Sequence, residues 1–246
     1  MTSLRFAFAA FALCGASALS LAPAQAQAQE QAAQQVAPVY FDLFQAMEES
    51  VDQEVATDIA MDAVAREFAA TPAFAEFERR SPGFINEVVT GMRPIVDEHS
   101  DYVRELYAPR MAALFAEHLT EEEAAIAARF YRSDAGKRLM SRASRNLTFD
   151  SVLSDLDSSE GATEEQVTRD MNSSVGSTMA EMPREELEEL GRIFMEEPAL
   201  MKIGGMQGDI LALRTQMENE PMPPALEKRI QNMMEDVFKR RFPNGL

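Results

Sequence analysis

The stretch Thr120-Glu121-Glu122-Glu123-Ala124-Ala125-Ile126-Ala127-Ala128-Arg129-Phe130-Tyr131-Arg132-Ser133-Asp134-Ala135-Gly136-Lys137 decides the fold class. Thr120, followed three residues later by Glu123, forms a capping box. The hydroxyl accepts from an orphan backbone N–H, and the carboxylate reaches back to the cap. Glutamates in the first turn suit the positive end of a helix. Ile126 and Phe130, four residues apart, share the inward face. Ser133-Asp134 then caps a second short helix through Met140. Helix, tight corner, helix is the predicted unit.

The pattern continues on both sides. Leu43, Met47, Val51, Val55 and Ile59 recur at four-residue spacing and predict one amphipathic helix. Thr71-Pro72 and Ser81-Pro82 read as N-cap plus first-turn proline pairs, each starting a helix. Phe84, Val88, Met92 and Ile95 line the next, which Pro94 is expected to kink or end. Tyr102, Leu106, Leu114 and Phe115 mark another. Thr163 with Gln166 is a second capping box, followed by an apolar face of Val167, Met171, Val175 and Met179.

Gly204-Gly205 and Gly208 predict a turn, and Pro221 to Pro224 a break. Leu226, Ile230, Met233, Val237 and Phe238 then give a terminal helix ending in Lys239, Arg240 and Arg241. No segment alternates with the two-residue period of a strand. The expected fold is all-α, a multi-helix bundle of short amphipathic helices. Residues 38–157 form a helical domain containing the motif, and 158–246 a second helical half.

A shift of 63 residues superposes Arg66, Arg129 and Arg192, then Phe68, Tyr131 and Phe194, then Pro72, Ala135 and Pro198. Each copy reads as helix, arginine, aromatic, short break, short helix, a degenerate repeat of two or three units.

The N-terminus reads as an export signal. Arg5 supplies the positive end, Phe6 to Leu13 the apolar run, and Ala24-Gln25-Ala26 the small residues of a cleavage site, with Ala28 an alternative. Residues 1–26 are the predicted leader and 27–37 a flexible Ala/Gln linker. Cleavage removes Cys14, the one cysteine, so the mature chain would have no disulfide even in an oxidising compartment. Beyond the leader no stretch is apolar enough to span a bilayer. The expected location is periplasmic or secreted. A formal net charge of −18 argues against nucleic acid and anionic lipid surfaces as partners.

Candidate chemistry is sparse. His99 sits among Asp97, Glu98 and Asp101, and His118 near Glu117, Glu121 and Glu122, without the paired spacing of a zinc site. Of the 16 methionines, Met171, Met179, Met233 and Met234 fall in apolar-face patterns, where the thioether fills core space rather than holding Cu(I). Glu121 to Glu123 and Glu185 to Glu189 fit helix N-termini better than the opposed carboxylates of a glycosidase. There is no G-x-S-x-G, and no strand precedes Gly204 to Gly208 to make a phosphate loop. No metal and no cofactor are expected.

Leu119-Thr120-Glu121-Glu122-Glu123 followed by Phe130-Tyr131-Arg132-Ser133-Asp134-Ala135-Gly136-Lys137 resembles the core of a family of exported bacterial helical domains, domain of unknown function twenty fifty-nine. Its pattern is F-T-x-x-E-L, then F-Y-x-S-P-x-G-x, and this chain departs at Leu119, Ala124 and Asp134. The resemblance covers Tyr107 to Met140. It implies a helical fold and an envelope location, and brings no catalytic residues with it. The residues themselves read as a non-catalytic envelope protein binding another protein or an apolar ligand. The alternative is an envelope or cell-wall hydrolase using paired carboxylates. The candidate ligand or structural set is Arg66, Arg129, Phe130, Tyr131, Ser133, Gly136 and Arg192, the arginines expected to be buried against helix-borne glutamates.

Overall fold

The computed structural model describes residues 36–153 and 161–243; the leader and most of the linker lie outside them. Among the described residues every regular element is a helix: α1 (Pro38–Ser50), α2 (Gln53–Ala70), α3 (Pro72–Arg80), α4 (Phe84–His118), α5 (Glu121–Arg132), α6 (Asp134–Arg145), α7 (Asp150–Leu153), α8 (Glu164–Glu181), α9 (Arg184–Glu196), α10 (Pro198–Gly205), α11 (Gln207–Glu218) and α12 (Pro224–Arg241). The protein is an all-α helical bundle.

The spine is α4. Its 35 residues extend about 52 Å at 1.5 Å per residue. It continues through Pro94 and Pro109, so Pro94 does not end it. Each proline forfeits a backbone hydrogen bond, a cost of roughly 3 kcal/mol in an isolated helix. Burial on both sides overrides it. Phe84, Val88, Met92 and Ile95 anchor the N-terminal half in one core, while Val103, Tyr107, Met111 and Phe115 anchor the C-terminal half in another. Of the four residues expected to mark this stretch, Phe115 is fully buried and Leu114 packs on the core, whereas Tyr102 and Leu106 are exposed and Val103 and Tyr107 are buried in their place.

The first core joins α1, α5, α9, α10 and α11 to the C-terminal half of α4. Its tightest seam is α1 on α5, where Leu43 and Ala46 meet Ala124, Ala127 and Ala128, all within 2% of full burial. Alanine side chains let the axes approach closely. Val36 and Ala37 also pack on this core, so the expected linker is already tethered at its end. The second core joins α2, α3 and α12 to the N-terminal half of α4. Phe68 stacks on Phe74 at 4.4 Å, and Phe77 and Phe84 meet Phe238 at 5.1 and 5.0 Å. Both cores draw residues from each side of position 157.

Several helix boundaries depart from the predicted ones for local reasons. The expected single helix through Val51 is divided into α1 and α2, because Asp52 caps α2 by accepting from the Val55 N–H while its own N–H donates to Ser144 Oγ. Ser81-Pro82 does not start α4. Gly83 does, at φ +88°, and the Glu78 carboxylate accepts from the Gly83 and Ile85 N–H groups at 2.7 and 2.9 Å. A side chain of the preceding helix thus supplies the cap that Ser81 was expected to give. The glycine-rich turn at 204–208 shrinks to Met206 alone, nearly fully buried between α10 and α11.

Helix, short break, short helix does recur at Ala70–Pro72, Arg132–Asp134 and Glu196–Pro198. The three stretches pack differently and do not establish a repeat: Phe68 belongs to the second core, and Tyr131 and Phe194 flank the first.

Candidate functional site

Both capping boxes form: Thr120 with Glu123 opens α5, and Thr163 with Gln166 opens α8. At the α5–α6 corner Ser133 Oγ accepts from the Gly136 N–H at 3.2 Å and donates to the Phe130 carbonyl at 2.6 Å. One hydroxyl therefore serves the orphan groups of two helix ends. Gly136 has to be glycine. A Cβ there would stand 2.1 Å from the Phe130 carbonyl oxygen and 2.9 Å from Tyr131 Cα, both rigid backbone. Phe130 is buried, with its ring 5.4 Å from Tyr131 and 5.6 Å from Phe194. Burial pushes the Tyr131 phenol up to about 12. Four of the seven predicted residues thus meet in one corner, and Phe194 of α9 packs against it.

The three arginines do not join them. Arg66, Arg129 and Arg192 are all exposed, contrary to the expected burial. Arg66 reaches Asp150 at 3.2 Å on the surface. The tying arginines lie elsewhere. Arg132 grips both oxygens of Asp42 at 2.8 and 2.9 Å and reaches Glu49, fixing α5 to α1. Its hydrogen bonds hold the Asp42 carboxyl below the usual range. Arg142 joins α6 to Glu186 at 2.8 Å and to the Glu181 carbonyl at 3.2 Å, and Arg138 reaches Glu189 at 2.7 Å. Arg129 and Arg132 look alike in sequence. Only the placement of α1 decides which meets carboxylates.

A polar cluster between α4 and α11 escaped the sequence reading. The Tyr107 hydroxyl donates to Glu220 at 2.8 Å, lies 3.2 Å from the Gln216 carbonyl, and carries Arg110 over its ring at 4.8 Å. Burial, then the Glu220 hydrogen bond, pushes this phenol up to about 12. Nearby, burial holds the His99 imidazole below its ordinary value, and its Nδ1 is buried without a hydrogen-bond partner among the described residues. His118 pairs across helices with Asp209 at 3.1 Å rather than with its neighbours in sequence.

Among the described residues the carboxyls displaced from their ordinary values are displaced downward, by the groups that hold them. Glu78 is held by backbone N–H groups, Glu87 by Arg240 and Arg241, and Glu123 by Lys202 and the Thr120 N–H. A glycosidase acid needs the opposite displacement. Among the described residues no group of three or more His, Cys, Asp or Glu is arranged to hold a metal, and no helix is long and apolar enough to cross a membrane. A shallow groove between α4 and α12 is flanked by Arg229 and Arg240, which are already bound to Glu98 and Glu87.

The clearest departure from ordinary burial is α8. Val167, Met171, Val175 and Met179 were expected to face inward, but only Val167 is buried. Asp170, Ser174 and Thr178 occupy the inner face instead. The Asp170 carboxylate accepts from the Ser151 and Val152 N–H groups at 3.0 Å, and Ser174 Oγ accepts from the Thr148 N–H at 3.2 Å. The inner face thus satisfies backbone N–H groups of the α6–α7 connection and of the first turn of α7, on which α8 packs. Val175 and Met179 consequently stand 54% and 49% exposed. Residues 171–180 carry no charge, and a Cβ on Gly176 would meet nothing within 4 Å.

No curated protein and no solved structure matches the chain. Residues 108–144, which run from the C-terminal half of α4 through the corner to the end of α6, match the model of a family described as Uncharacterized protein conserved in bacteria (DUF2059).

Proposed function

We propose that the chain is an exported, non-catalytic helical module that docks another protein, and that the outward face of α8 is its docking surface. The observation that carries this reading is the inverted helix: polar residues inside, Val175 and Met179 outside, on a ten-residue run without charge in a chain of net charge −18. Interface centres are depleted of charge in this way. Gly176, Ser173, Ser177 and Ala180 flank the apolar pair, and their small side chains would let a partner helix come close. A mid-helix glycine with open space around it costs about 1 kcal/mol against alanine, which a folding role does not explain. Destination in the envelope rests on the leader read from residues 1–26. The downward displacement of the held carboxyls favours a structural role for them over acid catalysis.

A photo-crosslinking residue placed at Val175, in cells that make the protein, tests the reading. One discrete protein adduct, lost when Met179 is changed to Glu, is expected. Labelling no stronger than at exposed Lys228 on α12 would reject it.

A further inference from the structure

Residues 129–145 carry six cations, Arg129, Arg132, Lys137, Arg138, Arg142 and Arg145, against the single acid Asp134, in a chain whose net charge is −18. The structure divides them. Arg132, Arg138 and Arg142 are neutralised by carboxylates of α1 and α9. Lys137 and Arg145 are exposed and meet no carboxylate among the described residues, and Arg145 donates to Ser141 Oγ at 3.0 Å. Lys137, Ser141 and Arg145 succeed one another at four-residue intervals, so they form one stripe on the outer face of α6. Three hydrogen-bond donors thus stand about 6 Å apart along roughly 12 Å of helix.

We propose that this stripe docks an acidic helix of a partner protein, with carboxylates at the same four-residue interval. The claim rests on the reading of the chain as a docking module and names the chemistry of what docks at this second face. Charge complementarity carries it: this is a local cationic ladder on a strongly acidic body. The pitch selects a helix, because carboxylates at i, i+4 and i+8 repeat at the ladder's own spacing. An extended anionic sheet such as a lipid surface would meet the repulsive field of the whole chain, whereas a single acidic helix laid along the ladder meets a smaller part of it. Exposed ion pairs are individually weak, so the contact has to be salt-sensitive.

The test uses the purified full chain and a fluorescent helical peptide of about 20 residues with glutamate at every fourth position among alanines. A second peptide of the same composition has its glutamates bunched, and vesicles of phosphatidylglycerol form a third arm. Binding of the laddered peptide should weaken with salt, and should fall about tenfold or more in Lys137→Glu/Arg145→Glu, with Lys239→Glu as the unaffected control. Both replaced side chains are exposed and meet no carboxylate among the described residues, so the variant should keep its helical circular dichroism. Equal binding of the bunched peptide, no binding, or vesicle binding lost in the same variant would each overturn the proposal. The α8 crosslink is untouched by those outcomes: its loss with the ladder intact removes the first surface, and the reverse removes the second.

Discussion

Replacing Gly136 by alanine has a sign that the geometry of the α5–α6 corner decides. In an open helix interior the change stabilises by about 1 kcal/mol, because glycine loses more chain entropy on folding. At Gly136 the new methyl would sit 2.1 Å from the Phe130 carbonyl oxygen, more than 1 Å inside ordinary contact, and the oxygen belongs to backbone held by Ser133. Overpacking of this kind costs about 1–3 kcal/mol, and relief would require shifting α6 against α5, where Arg132, Phe130 and Ala135 are all packed. The net expectation is destabilisation by about 1–2 kcal/mol, or a fall in Tm of several degrees for a chain of this size. Gly191→Ala on α9, where nothing lies within 4 Å, is the matched control and should stabilise by up to about 1 kcal/mol. Urea unfolding followed by circular dichroism reads both, provided the m-value is unchanged. A Gly136→Ala variant as stable as the parent, or a control that moves the same way, would refute the corner geometry.

Other outcomes follow from the same contacts. Arg132→Ala should lower stability by up to about 1 kcal/mol through the lost α5–α1 fork, while Arg129→Ala should stay within about 0.5 kcal/mol, read by the same urea curves. Asp170→Ala should cost about 1–3 kcal/mol, because it takes the carboxylate away from the Ser151 and Val152 N–H groups, and hydrogen exchange at the Val152 amide should speed up. Acid should weaken the fold in two stages. His99 has a folded value below its unfolded one, so its contribution is present above about pH 6.5 and is lost as pH falls through the folded value. Asp42 and Glu78, likewise lowered, add a second loss below about pH 4, and His99→Phe should remove only the first stage from a pH series of midpoints. Tyr107 and Tyr131 are raised to about 12, so stability should also fall as pH rises from 10 towards 12.

Local chemistry was the legible part of the sequence. Both capping boxes, the Ser133–Gly136 corner and the terminal helix were readable because each is set by residues within a few positions of one another. What could not be read was long-range. Pro94 is a breaker by every local rule, and only burial of α4 at both ends keeps the helix intact. Arg129 and Arg132 are equivalent until α1 is placed beside one of them. The α8 face misled because four-residue apolar spacing ordinarily marks the inside. Here Thr148, Ser151 and Val152 present backbone N–H groups that Ser174 and Asp170 accept, and the apolar stripe is turned out. The Tyr107–Glu220 contact joins residues 113 positions apart, and no local signal announces it.

Methionine oxidation footprinting reaches the outward face of α8 most directly. Met179 is 49% exposed and Met195 85% exposed, so dilute peroxide should oxidise both in the purified protein. In intact cells Met179 should be protected severalfold while Met195 stays reactive, because a partner covers only the first. Equal reactivity of the two in cells and in isolation would mean that the face is simply solvated, and the docking reading would fall.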